Sequence, residues 1–447
     1  MLNEQELRTL ADSALNLTTG YDAELTFITG ESALTRFGES RITQNVVQGG
    51  AGVAIRLVRG GKMGKASTGA LTPDGLARCV ASAKAGLEVA APDPSILPLP
   101  TPQTYTPKPG YFPATAEYTP EARADAVVKA MGEFKRENLE GAGIFTTGAG
   151  ATAIANSKGL WAYHKKTASA FSISAMSSDS SGWAEESDAD VTTLDLDKAT
   201  ATAMKKALDG RNPGSIEPGE YTVILEPAAV ADFTLFLAWG AMNGKAFNEG
   251  RSPFSGKTGV KMVGDNITIT DDAYHPMTPG QPFDFEGMPR RKVTMIENGV
   301  FRGTVHDRST GPKAGLSSTG HALPQPDSNG PIPVNMVYTA GGSSLEEMIA
   351  STEKGLLVTR LHYCNILDPM KLTITGMTRD GLFLVEKGKV ARGVKNMRFT
   401  ESILSILSNV EALSRQLYKT ETFWGGGGTV VPAMKVNGWH FTSKTEN

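Results

Sequence analysis

The side chains able to do chemistry are thinly spread along this chain. Its six histidines stand at His164, His275, His306, His321, His362 and His440. No two lie three to five residues apart, so no helix presents a histidine pair of the kind that grips zinc. The two cysteines, Cys79 and Cys364, are distant in sequence; they make no disulfide framework and suit a reducing cytoplasm. His362 and Cys364 flank one residue, and in a strand both would project from one face. The plainer reading is two strand side chains of unrelated burial.

Nucleophile signatures are equally sparse. There is no G-x-S-x-G elbow, and no S-x-x-K run lies between suitable partners. Ser344 and Glu347 in "GGSSLEEM" have the spacing of a capping box, a structural role. The densest run of reactive types is "TVHDRSTGPKAGLSSTGHALPQP" (304–326), with His306, Asp307, Ser309, Lys313, Ser317, Ser318 and His321. A long polar loop of this kind suits binding better than catalysis. "FWGGGGTVVP" holds four consecutive glycines, Gly425 to Gly428, without the Lys-Ser/Thr of a phosphate loop. It reads as a flexible loop or as backbone lying close to a ligand.

Positioning such groups requires a frame. The N-terminus carries Leu2, Leu7, Leu10, Ala11, Ala14 and Leu15 on one helical face. It has acidic residues and no apolar core segment, so it is read as a helix and not as a signal peptide. Alternating runs follow, with a hairpin signal at Arg59-Gly60-Gly61-Lys62 and a helix after Thr72. Residues 92–120 hold nine prolines in 29 residues, which excludes a regular element interior. Ile96, Leu97, Leu99, Tyr105, Tyr111 and Phe112 offer apolar anchors, so an extended strap packed on a domain is expected. A helix from Pro120, strands, and a helix closing near Gly210 complete the first part. From Pro218-Gly219 onward the chain reads mostly as strands, with hairpin turns at Asn298-Gly299 and Lys387-Gly388. Short helices are predicted around 345–354 and 403–414.

These patterns predict an α+β protein of two domains. Residues 1–217 form an N-terminal α/β domain with an antiparallel sheet and the Pro-rich strap 92–120. Residues 218–447 form a β-rich domain with a large, partly closed antiparallel sheet. The formal net charge of −3 and the lack of a basic block argue against a nucleic-acid partner. No apolar run approaches the ~18 residues of a membrane span. One apolar helix stands out, "ILEPAAVADFTLFLAWGAMNGKAF" (224–247). Val230, Phe233, Leu237 and Ala241 make one face, and Leu235, Phe236 and Trp239 cover much of the rest. Such a helix is expected to be buried nearly all round.

Five stretches carry a family resemblance: "ESRITQNVVQGGAGVAIRLVRGGKMGKASTG", "NEGRSPFSGKTGVKM", "VHDRSTGPKAGLSSTGHALP", "GLLVTRLHYCNILDPMKLTITGMTRDGLFLVEKGKV" and "VKNMRFTESILSILSNVEALS". In that order they span nearly the whole chain, and they resemble the TldD/PmbA family, once called modulators of DNA gyrase. The charge balance gives the gyrase label no support. The resemblance implies an N-terminal α/β domain, a β-rich C-terminal domain and a link to proteolysis. In the family's TldD branch an H-E-x-x-x-H helix and a Cys near the C-terminus hold zinc. The TldE/PmbA branch lacks them and pairs with TldD, and the complex threads unfolded peptide into a closed chamber.

The resemblance puts the motif helix at "YTVILEPAAVADFTLFLAWGAMNG", with Leu235, Phe236 and Gly240 where His, Glu and His would stand. The Cys would fall near "TETFWGGGGT", which contains none. The chain therefore resembles the TldE/PmbA branch, which implies a cytoplasmic, zinc-free subunit, inactive alone, with no metal or other cofactor expected. Its expected partners are a TldD-type zinc protease subunit or a second copy of itself, and unfolded peptide. Peptide-binding candidates are Arg251, Ser252 and Lys257; Asp307, Lys313, Ser318 and Thr319; and Gly425, Gly426 and Gly427. No catalytic residue is assigned. Alternatives are a self-sufficient, metal-independent hydrolase using the 304–326 loop, or a homodimeric peptide-binding protein without a protease partner.

Overall fold

The computed structural model describes residues 1–421 and 428–445. Its first half is one six-stranded antiparallel sheet in the order β3-β2-β1-β4-β5-β6. The strands are β1 (Asp22–Gly38), β2 (Arg41–Arg59), β3 (Lys62–Thr68), β4 (Glu140–Asn156), β5 (Trp161–Met176) and β6 (Ser181–Asp188). The β2–β3 turn uses Gly60 and Gly61 at φ 61° and 71°, the left-handed pair that a two-residue hairpin turn needs.

Helices cover one face of this sheet. Helices α1 (Glu4–Asn16) and α2 (Pro73–Val89) bury Leu7, Ala11, Leu76 and Leu87 against Leu25, Phe27, Val53 and Ile55. The single turn α3 (Pro113–Ala116) leads to α4 (Pro120–Arg136), and with α5 (Leu196–Asp209) it covers Phe145, Phe171 and Ile173. Helix starts follow local chemistry. Thr72 and Thr119 each accept a backbone N–H from the first turn, with proline next in line.

The opposite face of the sheet is turned toward the second half. There residues 92–112 of the Pro-rich segment run without regular structure between the two halves and bond to both. Asn156 Nδ2 donates to the Pro100 carbonyl (2.8 Å) and Thr167 N–H to the Gly110 carbonyl (2.8 Å). On the other side, Tyr105 OH donates to the Gly287 carbonyl (2.7 Å), and Lys108 Nζ donates to the His275 carbonyl (2.7 Å). The Tyr105 ring packs on Phe283 at 5.4 Å.

The second half is an eleven-stranded sheet: β7 (Gly219–Leu225), β8 (Ile269–Asp271), β9 (Val293–Glu297), β10 (Val300–Phe301), β11 (Met336–Tyr338), β12 (Lys354–Asp368), β13 (Thr373–Glu386), β14 (Lys389–Gly393), β15 (Met397–Ser402), β16 (Val410–Glu421) and β17 (Gly428–Lys444). β7 pairs with β12 on one side and β17 on the other, so β17, β15, β13, β12 and β7 close on themselves. The sheet is mixed: β7–β12 and β11–β17 are parallel pairs within an otherwise antiparallel set. The α+β class is as expected; the parallel pairs arise from long connections that hydrophobic alternation does not reveal. The helix expected over 403–414 spans only Ile403–Ser408, because Val410 onward pairs with β17. Among the described residues, no helix is long and apolar enough to cross a membrane.

Candidate functional site

Helix α6 (Pro227–Gly240) follows β7 directly, with Pro227 at its first position. Glu226, at its N-cap, is ion-paired to Lys206 at 2.5 Å. One face buries Val230, Phe233, Leu237 and Ala238 in the main core with Val358, Ile374 and Met434. The expectation of burial all round needs correction. Ala228, Asp232, Leu235 and Phe236, spaced as one helical stripe, line a cavity, and Trp239 further along is 65% exposed.

This cavity, about 670 Å3, is built from three sources. The N-terminal sheet contributes Ile144, Ser172, Trp183 and Glu185; α6 contributes its stripe; β12 contributes residues 360–365. Asp232 Oδ2 accepts the Leu361 N–H at 2.9 Å. Burial pushes its carboxyl up to about 7, against that hydrogen bond and the charge of Arg360. Arg360 Nε donates to Asp380 at 2.8 Å, and its guanidinium lies 4.8 Å from the Trp183 ring centroid. Burial, and then the nearby Asp232 carboxyl, raise the Cys364 thiol far above its ordinary range, so it is no nucleophile at neutral pH.

His362 and Cys364 both line this cavity, together with Tyr363 between them. Strand alternation alone would send Tyr363 away. Instead Tyr363 has φ 51°, and the β12–β13 register shifts between His362 and Asn365, which marks a bulge. Burial, followed by Arg379 and Arg360, holds the His362 ring below its ordinary value. Sequence reasoning missed Asp232, Arg360, Trp183 and Glu185 as cavity residues. A signal existed for Asp232 alone: it is the one carboxylate inside an otherwise apolar helix.

The other candidates lie around the 304–326 loop. Asp307 Oδ1 accepts the N–H and hydroxyl of both Ser309 and Thr310, at 2.8–2.9 Å, fixing a tight turn. Ser318 is buried, donates to the His306 carbonyl (3.4 Å) and accepts the Gly320 N–H (3.1 Å). Thr319 Oγ1 meets His321 Nδ1, and His321 Nε2 meets Asp271, each at 2.9 Å. The order resembles a hydrolytic relay. However, the Thr319 hydroxyl also bonds both the N–H and the carbonyl of His306, and His321 and Asp271 are fully enclosed. Such a network holds a loop in shape. Ser252 is similarly committed, donating to the Ala241 carbonyl at 2.8 Å.

The 243–257 segment joins the same region, with Asn248 Nδ2 donating to the Thr310 carbonyl at 2.9 Å. Arg251, Lys257 and Lys313 are exposed there, Arg251 paired to Glu249. Gly425, Gly426 and Gly427 lie outside the described residues.

The residues at the α6 stripe do not fit a zinc ion. Leu235 and Phe236 present carbon, and Gly240 has no side chain. Among the described residues, no three His, Cys, Asp or Glu side chains converge in a group that could hold a metal.

Comparisons with known proteins identify the family. Models described as the PmbA/TldA metallopeptidase domain 1, central domain and C-terminal domain match residues 23–86, 116–211 and 218–443. The chain is 22% identical over 458 residues to the metalloprotease PmbA of Escherichia coli O157:H7, covering 97% of this chain and 96% of that protein. It is 24% identical over 239 residues to a metalloprotease of Methanothermobacter thermautotrophicus, 53% of this chain and 52% of that one. In its leading curated matches the chain thus spans about half the relative's length or less. The crystal structure of TldE from Thermococcus kodakarensis superposes with a TM-score of 0.88 at 22% identity, over 98% of this chain and 100% of that one. At that identity the likeness shows the fold.

Proposed function

The chain belongs to the PmbA/TldD metallopeptidase family, and from that footing we propose that it acts as a TldE-type, non-catalytic subunit paired with a TldD-type zinc protease. The observation that carries this reading is the α6 stripe. At Leu235 and Phe236, where the family's ligands would stand, it offers carbon to a cavity between the two halves, and at Gly240 there is no side chain. The subunit's work is then to bind unfolded peptide and complete the chamber. Adding the peptide as a strand to a sheet edge would make that grip largely sequence-tolerant. Within the 243–319 region, Arg251, Lys257 and Lys313 are the exposed groups that would touch peptide. Ser252, Asp307, Ser318 and Thr319 would hold the surface in shape, and Gly425 to Gly427 would lend backbone.

A division into residues 1–217 and 218–447, and a cytoplasmic setting for the free thiols Cys79 and Cys364, belong to the same proposal. The self-sufficient hydrolase is not favoured, because the hydroxyls of Ser309, Ser318 and Thr319 are bonded within the 304–326 loop. The test is co-purification with a TldD-type protein, followed by cleavage of an unfolded peptide with each chain alone and with both. Cleavage that needs the partner and is enhanced by this chain supports the reading. Cleavage by this chain alone, lost in His306→Ala or Ser318→Ala, overturns it.

A further inference from the structure

We infer that the cavity over α6 is a subsite for a primary alkylammonium group on a bound peptide, with Asp232 as its counter-ion. The inference rests on the reading that this chain binds peptide, and it names which group the cavity selects.

Three observations converge on it. Asp232 lines the cavity, yet only one of its oxygens has a hydrogen-bond donor, the Leu361 N–H. Among the described residues, no lysine, arginine or histidine lies within ion-pair distance of it. The nearest candidate, Arg360, is committed elsewhere: its Nε and Nη2 both donate to Asp380, and its face is stacked on Trp183. The second observation is the wall. Ala228, Leu235, Phe236 and Ile144 give an apolar surface against which a methylene chain packs while its charged head continues to the carboxylate. The third is the aromatic lining, since Tyr363 also borders the cavity and aromatic rings attract cations. The volume, about 670 Å3, falls within the range of small-ligand pockets.

An anion fits the site poorly. It would meet the Asp232 carboxylate, and the guanidinium best placed to receive it already holds Asp380. A wholly apolar side chain would fill the walls but leave a recessed carboxylate unmatched, at a desolvation cost. A lysine side chain or a free peptide N-terminus supplies both the alkyl stem and the ammonium.

The experiment is calorimetric titration of the full-length chain at pH 8 with three short peptides. These are acetyl-Ala-Lys-Ala-amide, acetyl-Ala-norleucine-Ala-amide and Ala-norleucine-Ala-amide with a free N-terminus. An ammonium on a recessed carboxylate predicts about tenfold or more tighter binding of an ammonium-bearing peptide than of the acetylated norleucine peptide. The first and third peptides tell which source of ammonium is taken. Asp232→Asn keeps an acceptor for the Leu361 N–H, so the fold survives while the preference disappears. Equal affinity for all three peptides overturns the subsite and leaves peptide binding standing. No binding of any of them overturns peptide binding and the subsite together.

Discussion

His164 ties acid stability to the junction between the two halves. It lies in β5, is 7% exposed, and its Nε2 is buried without a partner. Its ring bonds to the Gly280 backbone of the second half and sits by Gly110 of the Pro-rich segment. Burial, followed by the charge of Lys166, depresses the ring from its ordinary 6.5 to about 4; Lys108 adds to the effect from the segment side. In the unfolded chain the ring takes a proton below about pH 6.5, whereas in the fold it stays neutral to about pH 4. Stability from this group is therefore complete above pH 6.5 and falls as pH drops toward 4. By linkage the loss is ~2 kcal/mol at pH 5 and ~3 kcal/mol in full. His164→Gln keeps a side-chain N–H for Gly280 and removes the titration. Urea unfolding of both proteins at pH 7 and pH 5 isolates the term, because every other group cancels in the difference. The wild type should lose ~2 kcal/mol more than the variant between those pH values. A pH loss equal in the two proteins to within ~0.5 kcal/mol would refute the argument.

The 304–326 loop and its surroundings give three further outcomes. Asp307→Ala strips four hydrogen bonds from one turn and should lower unfolding free energy by ~2–3 kcal/mol, measured by denaturant titration. Gly320 has φ 76°, and a Cβ there would stand 2.2 Å from the Pro289 carbonyl oxygen. Gly320→Ala should therefore drop the melting temperature by more than Gly303→Ala, where a Cβ meets nothing within 4 Å. Burial and then Asp284 push the Glu286 carboxyl up to about 8 from 4.5. The wild type therefore loses stability from this group as pH rises from 4.5 to 8. Glu286→Gln, which imitates the protonated form, should be the more stable protein at pH 8.5, with the advantage gone at pH 5 in matched melts.

Local chemistry made much of the frame legible. The threonine caps before Pro73 and Pro120 and the glycine pair at 60–61 each act within a few residues, so their signals survive in one sequence. The absence of His and Cys from 224–247 is legible for the same reason, since it depends on no contact. The cavity was not. Its walls come from β4, β5 and β6, from α6, and from β12, and no pattern within any one of them records the others. The bulge at Tyr363 was hidden too, since it breaks the alternation from which strand facing is read. The strand from Val410 was taken for helix because its apolar residues suit either period, and pairing with β17 decided the matter.

On the proposed reading, the apolar residues of α6 change more than a missing metal. A ligand helix must hold polar donors in a recess, where each costs free energy unless the ion compensates it. With Leu235 and Phe236 in those places, the recess is stable with no ion and becomes a surface for alkyl groups. Gly240 is closely packed, because a Cβ there would lie 3.1 Å from Leu372 Cδ2 and 3.5 Å from Ile366 Cδ1. The Leu372 methyl would have to give by a few tenths of an ångström, so packing as well as residue type bears on this position. Asp232, one turn before Leu235, is the polar group that remains on the stripe. Among the described residues the cavity brings together no three side chains that could hold a metal, but Asp232 can orient a cation that arrives on a chain.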